Sequence, residues 1–458
     1  MILLEIYLGD QLVGGLGYDS ESSLFTFEYT IQWLGAPDSY AISPSLPLEP
    51  VAGEPQESRS RAIRYFFDNL LPEGRALEDA AARYNVSKSN LVGLLIHLGK
   101  ETTGAIRVAL HGTRDDIGAA PNPMLRQLPH EEMSKRIKTR PFEPFSIWDG
   151  KVRLSIAGFQ DKIAVFKEGE SWSLVEGGGL ASTHILKPDP LSRNLPGLTS
   201  NEFFCMRLAK NVGIPVAPVR LVHVPEPILE IERFDRVASD GRVRRLHAID
   251  GCQALGLFRE LKTERWLGNG EDVKNIREGA SLPKIFGFLS NTRNPTLARV
   301  TMLRLTIFNV LTGNTDAHAK NFSFFSNENG FSMTPAYDLV SVLGVNNERL
   351  EDEFAMAIGD AFTEDELSPF QWAEMAASCG LPVRAVSVEI ARMVRLLQKH
   401  AKETLAEVVR EGASLEVVEN ILIVIERMCI KHAKFAPGIP KVGASLLGPN
   451  RSSPSTPW

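Results

Sequence analysis

The stretch Gly313 to Asp338, GNTDAHAKNFSFFSNENGFSMTPAYD, constrains this chain more tightly than any other. Asp316 precedes Asn321 by five positions inside the polar string DAHAKN. A short alternating run, Phe322 to Ser326, leads into the turn-forming Asn327-Glu328-Asn329-Gly330. A second extended run, Phe331 to Pro335, then reaches Tyr337-Asp338. Two short extended runs around a Gly-containing loop predict a β-hairpin. Arms of similar length return the chain to its starting point, so Asp338 is expected beside Asn321. Asp316, Asn321 and Asp338 would then converge.

That trio has a chemical use. Phosphoryl transfer asks the protein for positioning and charge neutralisation, with little covalent chemistry. One Asp orients the attacking hydroxyl, while an Asn and a second Asp hold Mg²⁺ on the phosphates. The D-x-x-x-x-N spacing equals that of a protein-kinase catalytic loop, and Asp338 stands where a metal-binding Asp would follow. The usual DFG is replaced by Tyr337-Asp338-Leu339. Taken alone, the spacing favours Asp and Asn as ordinary turn residues. His318 and Lys320 crowd the same loop, however, and the preceding run Val300 to Leu311 reads as a largely apolar helix ending before Gly313. A dense polar loop on a buried helix favours a phosphate site.

Composition narrows the setting. A chain of 458 residues with 43% hydrophobic and 23% charged content is expected to be soluble and globular, with two or more domains. Its formal net charge of −6 argues against a strongly basic nucleic-acid binder and leaves a local basic patch open. Cys205, Cys252, Cys379 and Cys429 are widely spaced, which suits reduced thiols in the cytoplasm. The start MILLEIYLGD lacks a basic n-region and reads as a strand. No apolar run is long enough to span a membrane.

Along the chain, Ile2 to Tyr7 and Leu24 to Tyr29 read as strands separated by Gly-rich turns. Helices are expected over Arg61 to Leu71, Leu77 to Tyr84 and Ser87 to Leu98, the last with Ser87 as N-cap and Gly99 past its end. Neither of the latter two carries a cluster of Arg or Lys, so the pair does not read as a DNA-binding helix-turn-helix. Residues 113 to 150 are Pro-punctuated and read as a connection. Val152 to Phe166 reads as strand, small-residue turn and returning strand, where Ser155, Ala157 and Gly158 let backbone approach a ligand. Thr183 to Lys187 is a strand ending in Lys187, a residue suited either to phosphates or to an exposed edge. Thr199 to Val212 is a helix in which Glu202 either completes a capping box with Thr199 or pairs with Lys187.

The strands Val219 to Val222 and Ile228 to Ile231 end in Glu232-Arg233-Phe234-Asp235-Arg236, a strand exit suited to a hinge that holds adenine. Beyond Leu246 the chain reads as helix-rich: Leu282 to Leu289, Val300 to Leu311, Phe370 to Cys379, Val386 to Lys399, Leu405 to Val409 and Leu415 to His432. Ala436 to Trp458 reads as an extended tail.

Six segments in order carry a family resemblance: FFDNLLPEG (66–74), SIAGFQDK (155–162), THILK (183–187), ERFDR (232–236), GNTDAHAKNFS (313–323) and PAYDLVS (335–341). The chain resembles the HipA family of serine/threonine kinase toxins. The resemblance implies an α+β chain with a two-lobed protein-kinase-like fold. It implies an additional N-terminal β-rich subdomain over 1–112 and a kinase N-lobe with phosphate-binding loop and hinge over 113–236. A helical, all-α C-terminal lobe with the catalytic and metal loops is expected over 237–435, and a Pro/Gly/Ser-rich tail over 436–458.

The resemblance also implies roles. Asp316 is similar to the catalytic Asp, and Asn321 and Asp338 to the Mg²⁺ ligands. Lys187, Glu232, Phe234, Ala157, Gly158, Phe159, Gln160 and His318 line the expected ATP site. Ser155 matches a serine that family members autophosphorylate, an event that silences the kinase. A dianionic phosphate there would compete for the loop amides that ATP needs. Family members act in toxin–antitoxin modules with a HipB-like helix-turn-helix antitoxin, which brings DNA to the complex indirectly. They phosphorylate aminoacyl-tRNA synthetases and so arrest translation and growth. Two other readings stay open: a small-molecule phosphotransferase of aminoglycoside-kinase type, and a non-catalytic pseudokinase that acts by docking.

Overall fold

The alternating N-terminal runs form strands in the computed structural model, which describes residues 2–112, 123–153, 160–177, 179–191, 196–239, 241–345 and 352–442. Helices and strands both contribute, as the α+β expectation requires. The chain forms two compact units from interleaved segments. The first takes Met1–Leu191, Val222–Arg259 and Ser323–Thr334; the second takes Ser192–Leu221, Glu260–Phe322 and Pro335–Trp458.

The first unit begins with a four-stranded antiparallel sheet in the spatial order Leu24–Tyr29, Gln11–Asp19, Ile2–Leu8, Ile106–Leu110. Period-2 alternation sends Leu4 with Ile6 and Phe25 with Phe27 into its core, and a register shift between Ile6 and Tyr7 lets both Val13 and Leu16 be buried as well. The helix Gln56–Asp68 covers that face with Ile63, Phe66 and Phe67, and Phe27 meets Phe67 at a ring-centroid distance of 5.8 Å. The segment Gln11–Asp19 corrects the Gly-rich turn expected from the sequence. A Cβ on Gly14 would sit 2.7 Å from the Phe27 ring, so glycine there makes room for a cross-strand aromatic.

A second antiparallel sheet places Pro227–Glu232, His184–Pro188, Ile163–Glu168, Ser171–Glu176 and Met124–Leu128 side by side in that order. Its apolar face packs Ile163, Val165, Trp172, Leu174 and Leu186 against Met133 and Ile137 of the helix His130–Thr139. This helix replaces the connection expected over 113–150. Its apolar pair is spaced i, i+4, with Glu131 and Glu132 in the first turn and Arg136 and Lys138 in the last, which suits the helix dipole. The flanking prolines concealed it.

The same unit contains a buried charge network. Arg233 donates to Asp235 (3.0 and 2.8 Å), and Arg236 donates to Asp235 (2.9 Å) and to the Gly104 carbonyl (2.8 Å). Asp235 also accepts from the Gly104 N–H at 2.7 Å. Glu101 receives Arg245 at 2.6 Å, Arg233 at 3.1 Å and the Ser182 hydroxyl at 2.6 Å. In ERFDR, therefore, Arg233, Asp235 and Arg236 are buried while Glu232 is exposed and Phe234 half-buried.

The second unit is dominated by the helices Leu198–Asn211, Leu282–Phe288, Pro295–Thr312, Pro369–Ser378, Val383–Arg410 and Leu415–Phe435. Their apolar faces bury Phe203, Met302, Phe308, Ile390, Leu397 and Met428. Several expected boundaries are corrected. The two helices expected over Val386–Lys399 and Leu405–Val409 are one, since no Gly or Pro interrupts 383–410 and the Thr404 hydroxyl bonds back to the His400 carbonyl at 2.8 Å. The helix expected from Ser87 starts at Leu91 and is capped by the Asn90 side chain on Gly93 N at 2.9 Å. Leu198–Asn211 begins after Gly197, whose φ of +70° turns the chain into the helix. Thr199 and Glu202 thus lie inside it, and the capping-box reading falls. In the tail, Ile439 is buried; residues 443–458 lie outside the described set.

The network sets an acid limit on stability. Burial works to raise the Glu101 pKa, but Arg245, Arg236 and Arg233 with the Ser182 hydroxyl outweigh it and hold the carboxyl at about 2, against an ordinary 4.5. A depressed folded-state pKa gives stability that is full above the unfolded value and lost as pH falls toward the folded one. Wild type should exceed Glu101→Gln by on the order of 3 kcal/mol at neutral pH. Urea unfolding across pH should show that gap closing between about pH 4.5 and 2.

Candidate active site

The loop after Pro295–Thr312 is held by short-range geometry. Gly313 ends the helix at φ +71°. A Cβ there would lie 2.8 Å from Val424 and 2.9 Å from Leu343, so only glycine both adopts this conformation and fits. Asn314 then spans the turn: its Nδ2 donates to Asn309 Oδ1 at 3.1 Å, and its Oδ1 accepts from the Asp316 N–H at 3.2 Å. The Thr315 carbonyl accepts from the Ala355 N–H at 2.8 Å.

These bonds fix Asp316 from both sides while its side chain stays 61% exposed, open to a hydroxyl acceptor. The Asp316 carbonyl accepts from His318 N at 2.8 Å and from Asn321 Nδ2 at 2.9 Å. Asn321 Nδ2 being committed there, Oδ1 is the end of the amide suited to a cation. Buried His318 places Nε2 3.9 Å from Asp316 Oδ1. Asp316, His318 and Asn321 are thus tied together within one loop.

The hairpin also forms as expected. Ser323–Asn327 pairs with Gly330–Met333, closing at Asn327 opposite Gly330, with φ +95° at Gly330 and Asn327 Oδ1 accepting Asn329 N at 2.9 Å. Past the hairpin the chain returns to the helical unit. There the Tyr337 hydroxyl donates to the Lys320 carbonyl at 2.7 Å, joining the neighbour of Asp338 to the neighbour of Asn321. Ala336 is held by main-chain bonds to Pro215 (2.8 Å) and Ala217 (2.9 Å). Asp338 sits at φ +57°, a left-handed conformation that Asp tolerates better than most residues and one that recurs at functional sites. Just beyond it, Asn201 Nδ2 donates to the Ser341 carbonyl (2.9 Å) and Asn201 Oδ1 accepts Ser341 N (2.8 Å).

Tyr337, Asn314 and Asn201 are positioning residues that the sequence reading passed over. Asn314 was within reach of it, since an Asn two residues before a candidate Asp after a helix-ending Gly is a turn-former by type. Asn201 left no local signal.

The described residues contain no group of three or more His, Cys, Asp or Glu side chains placed to hold a metal ion. Mg²⁺ needs no such cage: it is commonly bound through one or two carboxylates, with phosphate and water oxygens completing its shell. The hard oxygens of Asp338 and Asn321 fit that chemistry.

In the first unit, Lys187 is buried on the strand His184–Pro188, opposite Leu229. Gln160 Nε2 donates to the Pro188 carbonyl at 2.8 Å, anchoring Gln160 to the end of that strand. Glu232 is exposed opposite His184, and Phe234 packs edge-on to Phe325 with centroids 5.8 Å apart. Ser155, Ala157, Gly158 and Phe159 lie outside the described residues.

Comparison with known proteins adds an independent line. Residues 4–109 match the family model described as the HipA N-terminal domain, and residues 154–410 match the HipA-like C-terminal domain. The chain is 38% identical over 407 residues to the serine/threonine-protein kinase toxin HipA of Shewanella oneidensis, covering 88% of this chain and 89% of that one. It is 33% identical over 423 residues to the putative kinase Y4mE of Sinorhizobium fredii, covering 91% and 94%. The solved Shewanella oneidensis complex of HipA, HipB and operator DNA contains a chain that superposes with a TM-score of 0.83 at 36% identity, covering 96% of this chain and 99% of that one.

The Asn201 clamp predicts a stability cost. Asn201→Ala leaves the Ser341 N–H and carbonyl buried without their partner, and urea unfolding should show a loss of roughly 2–3 kcal/mol.

Proposed function

This chain belongs to the HipA family and is a serine/threonine protein kinase, and from that premise we propose that it transfers the ATP γ-phosphate to a protein hydroxyl as the toxin of a toxin–antitoxin module. The observation that carries the reading is the exposed Asp316 carboxylate on a loop held rigid by Asn314 and Ala355, with Asn321 bonded to the Asp316 main chain.

In this reading Asp316 orients the acceptor hydroxyl and takes its proton as the oxygen attacks. Preorganisation of this kind removes the entropy cost of bringing base and hydroxyl together. His318, beside Asp316, contacts nucleotide phosphate. Asn321 Oδ1 and Asp338 would hold Mg²⁺, which when bound supplies positive charge against the phosphates. Lys187 contributes a second cation toward them. Glu232 and Phe234 line the adenine site, with Gln160 and the segment Ala157-Gly158-Phe159 at the phosphates. Ser155 is the proposed site of inhibitory autophosphorylation.

The proposed partner is a HipB-like helix-turn-helix antitoxin, supported by the HipA, HipB and operator DNA complex to which this chain is similar. DNA would be engaged through that antitoxin. The proposed target class is an aminoacyl-tRNA synthetase, whose phosphorylation arrests translation. The proposed location is the cytoplasm. Among the described residues no helix is long and apolar enough to cross a membrane.

Intact mass before and after Mg-ATP tests the core of this reading. Wild type should gain a phosphate that neither Ser155→Ala nor Asp316→Ala acquires. Full transfer activity in a folded Asp316→Ala protein would remove Asp316 from the mechanism. Lys187→Ala should raise the ATP concentration needed for half-maximal turnover by roughly tenfold or more, in line with loss of a charge-assisted contact of about 1.5–3 kcal/mol. Unchanged ATP binding and turnover would rule out that role.

A further inference from the structure

Threonines inside helices commonly bond their hydroxyl to the carbonyl one turn back. Thr312 does so to Phe308 at 2.9 Å, and Thr404 to His400 at 2.8 Å. Thr306 breaks the pattern. It is 5% exposed, and its Oγ1 is buried with no hydrogen-bond partner among the described residues.

Thr306 lines a cavity of about 20 Å³ against the Asp316 loop, together with Asn309, Asn314, Thr315, Phe354 and Ala355. A buried water needs about 10–15 Å³ and two to four polar partners. The water-accessible space is therefore right for one water. Thr306, Asn309, Asn314 and Thr315 are its polar lining residues, and two of them carry the argument. Thr306 supplies the unpartnered hydroxyl, and Asn309 supplies an amide whose orientation can be worked out.

The Asp316 main-chain N–H can only donate, so the Asn314 atom it meets is Oδ1. Asn314 Nδ2 is then the donor to Asn309, and the Asn309 atom it meets is Oδ1. That leaves Asn309 Nδ2 as the donor available to the cavity. The run of donors therefore points in one direction, from Asp316 inward, and ends at Asn309, which lines the same cavity as Thr306.

We propose that this cavity holds one ordered water accepting from Asn309 Nδ2 and bonded to Thr306 Oγ1, and that Thr306 is thereby a positioning residue for Asp316. The water completes a relay from the helix Pro295–Thr312 through Asn309 and Asn314 to the Asp316 main chain. Without it the Asn309 amide is held through Oδ1 alone, which loosens the support that Asn314 gives the Asp316 N–H. The positioning role rests on the reading of Asp316 as the catalytic carboxylate; the water site does not.

The test is a high-resolution crystal structure of the full chain, with steady-state ATP turnover, for wild type, Thr306→Val and Thr306→Ser. Valine keeps the shape and removes the hydroxyl, whereas serine keeps the hydroxyl. One water should appear within hydrogen-bonding reach of Thr306 Oγ1 and Asn309 Nδ2 in wild type, persist in Thr306→Ser and be absent from Thr306→Val. Thr306→Val should lower kcat by roughly tenfold, as small displacements of a reacting group do, with KM for ATP unchanged and kcat recovered in Thr306→Ser. A dry cavity in wild type overturns the proposal whatever the kinetics, and that result is available even if Thr306→Val fails to fold. A hydrated wild type with kcat unchanged in Thr306→Val overturns the positioning role, as does an equal loss in both variants. Because the water is read from density, an active Asp316→Ala protein would remove the catalytic assignment and leave the water site standing.

Discussion

The first unit depends on a cluster of buried charges that no member can leave alone. Arg233 and Arg236 share Asp235, and both reach Glu101, which also receives Arg245. Each guanidinium would be costly in a dry interior without its carboxylate, and each carboxylate without its guanidiniums, because desolvation of an unpaired ion exceeds what packing returns. The cluster therefore behaves as one object. It ties the Glu101–Gly104 turn to the exit of the strand Pro227–Glu232 and to the following hairpin arm Arg242–Arg245. Glu232 and Phe234 inherit their placement from it: their neighbours are locked inward, so they stay toward the surface. Two outward-facing residues are thus placed by anchoring Arg233, Asp235 and Arg236 beside them.

The second unit solves a related problem with neutral groups. Its candidate Asp316 is exposed, so burial does little to position it. Main-chain bonds do so instead. Gly313 aims the chain, Asn314 and Ala355 hold Asp316 and its predecessor, Tyr337 ties the Asp338 segment to Lys320, and Asn201 clamps the turn beyond. Bonds to main chain constrain position while leaving the Asp316 side chain exposed.

Local pattern explains which parts could be read in advance. The hairpin Ser323–Asn327/Gly330–Met333 was legible because alternation and an Asn-Glu-Asn-Gly turn lie within a dozen residues. The helices of the second unit were legible from their apolar periodicity, with ends misplaced where caps were not the nearest Ser or Thr. Thr199 misled because S/T-x-x-E is only a local signature; the turn at Gly197, packed on Val417, starts that helix earlier. Gly14 misled in the opposite sense. Its glycine serves the Phe27 ring on the neighbouring strand, and nothing within Gln11–Asp19 announces that ring.

By itself the sequence determined the chemistry on offer: Asp316, Asn321 and Asp338 on either side of a hairpin, and ordered motifs that identify the family. Those features survive in sequence because their geometry is set by neighbours a few residues away. Tertiary structure alone decided how they are held. Asn201 finds Ser341 across 140 positions, and Arg233 finds Glu101 across 132. It also turned ERFDR from a charged strand end into an internal ion cluster with two outward residues, and left the Thr306 hydroxyl facing a cavity. A side chain's donors and acceptors are written in its residue type. Which of them is satisfied depends on what the fold brings alongside, and no periodicity encodes that.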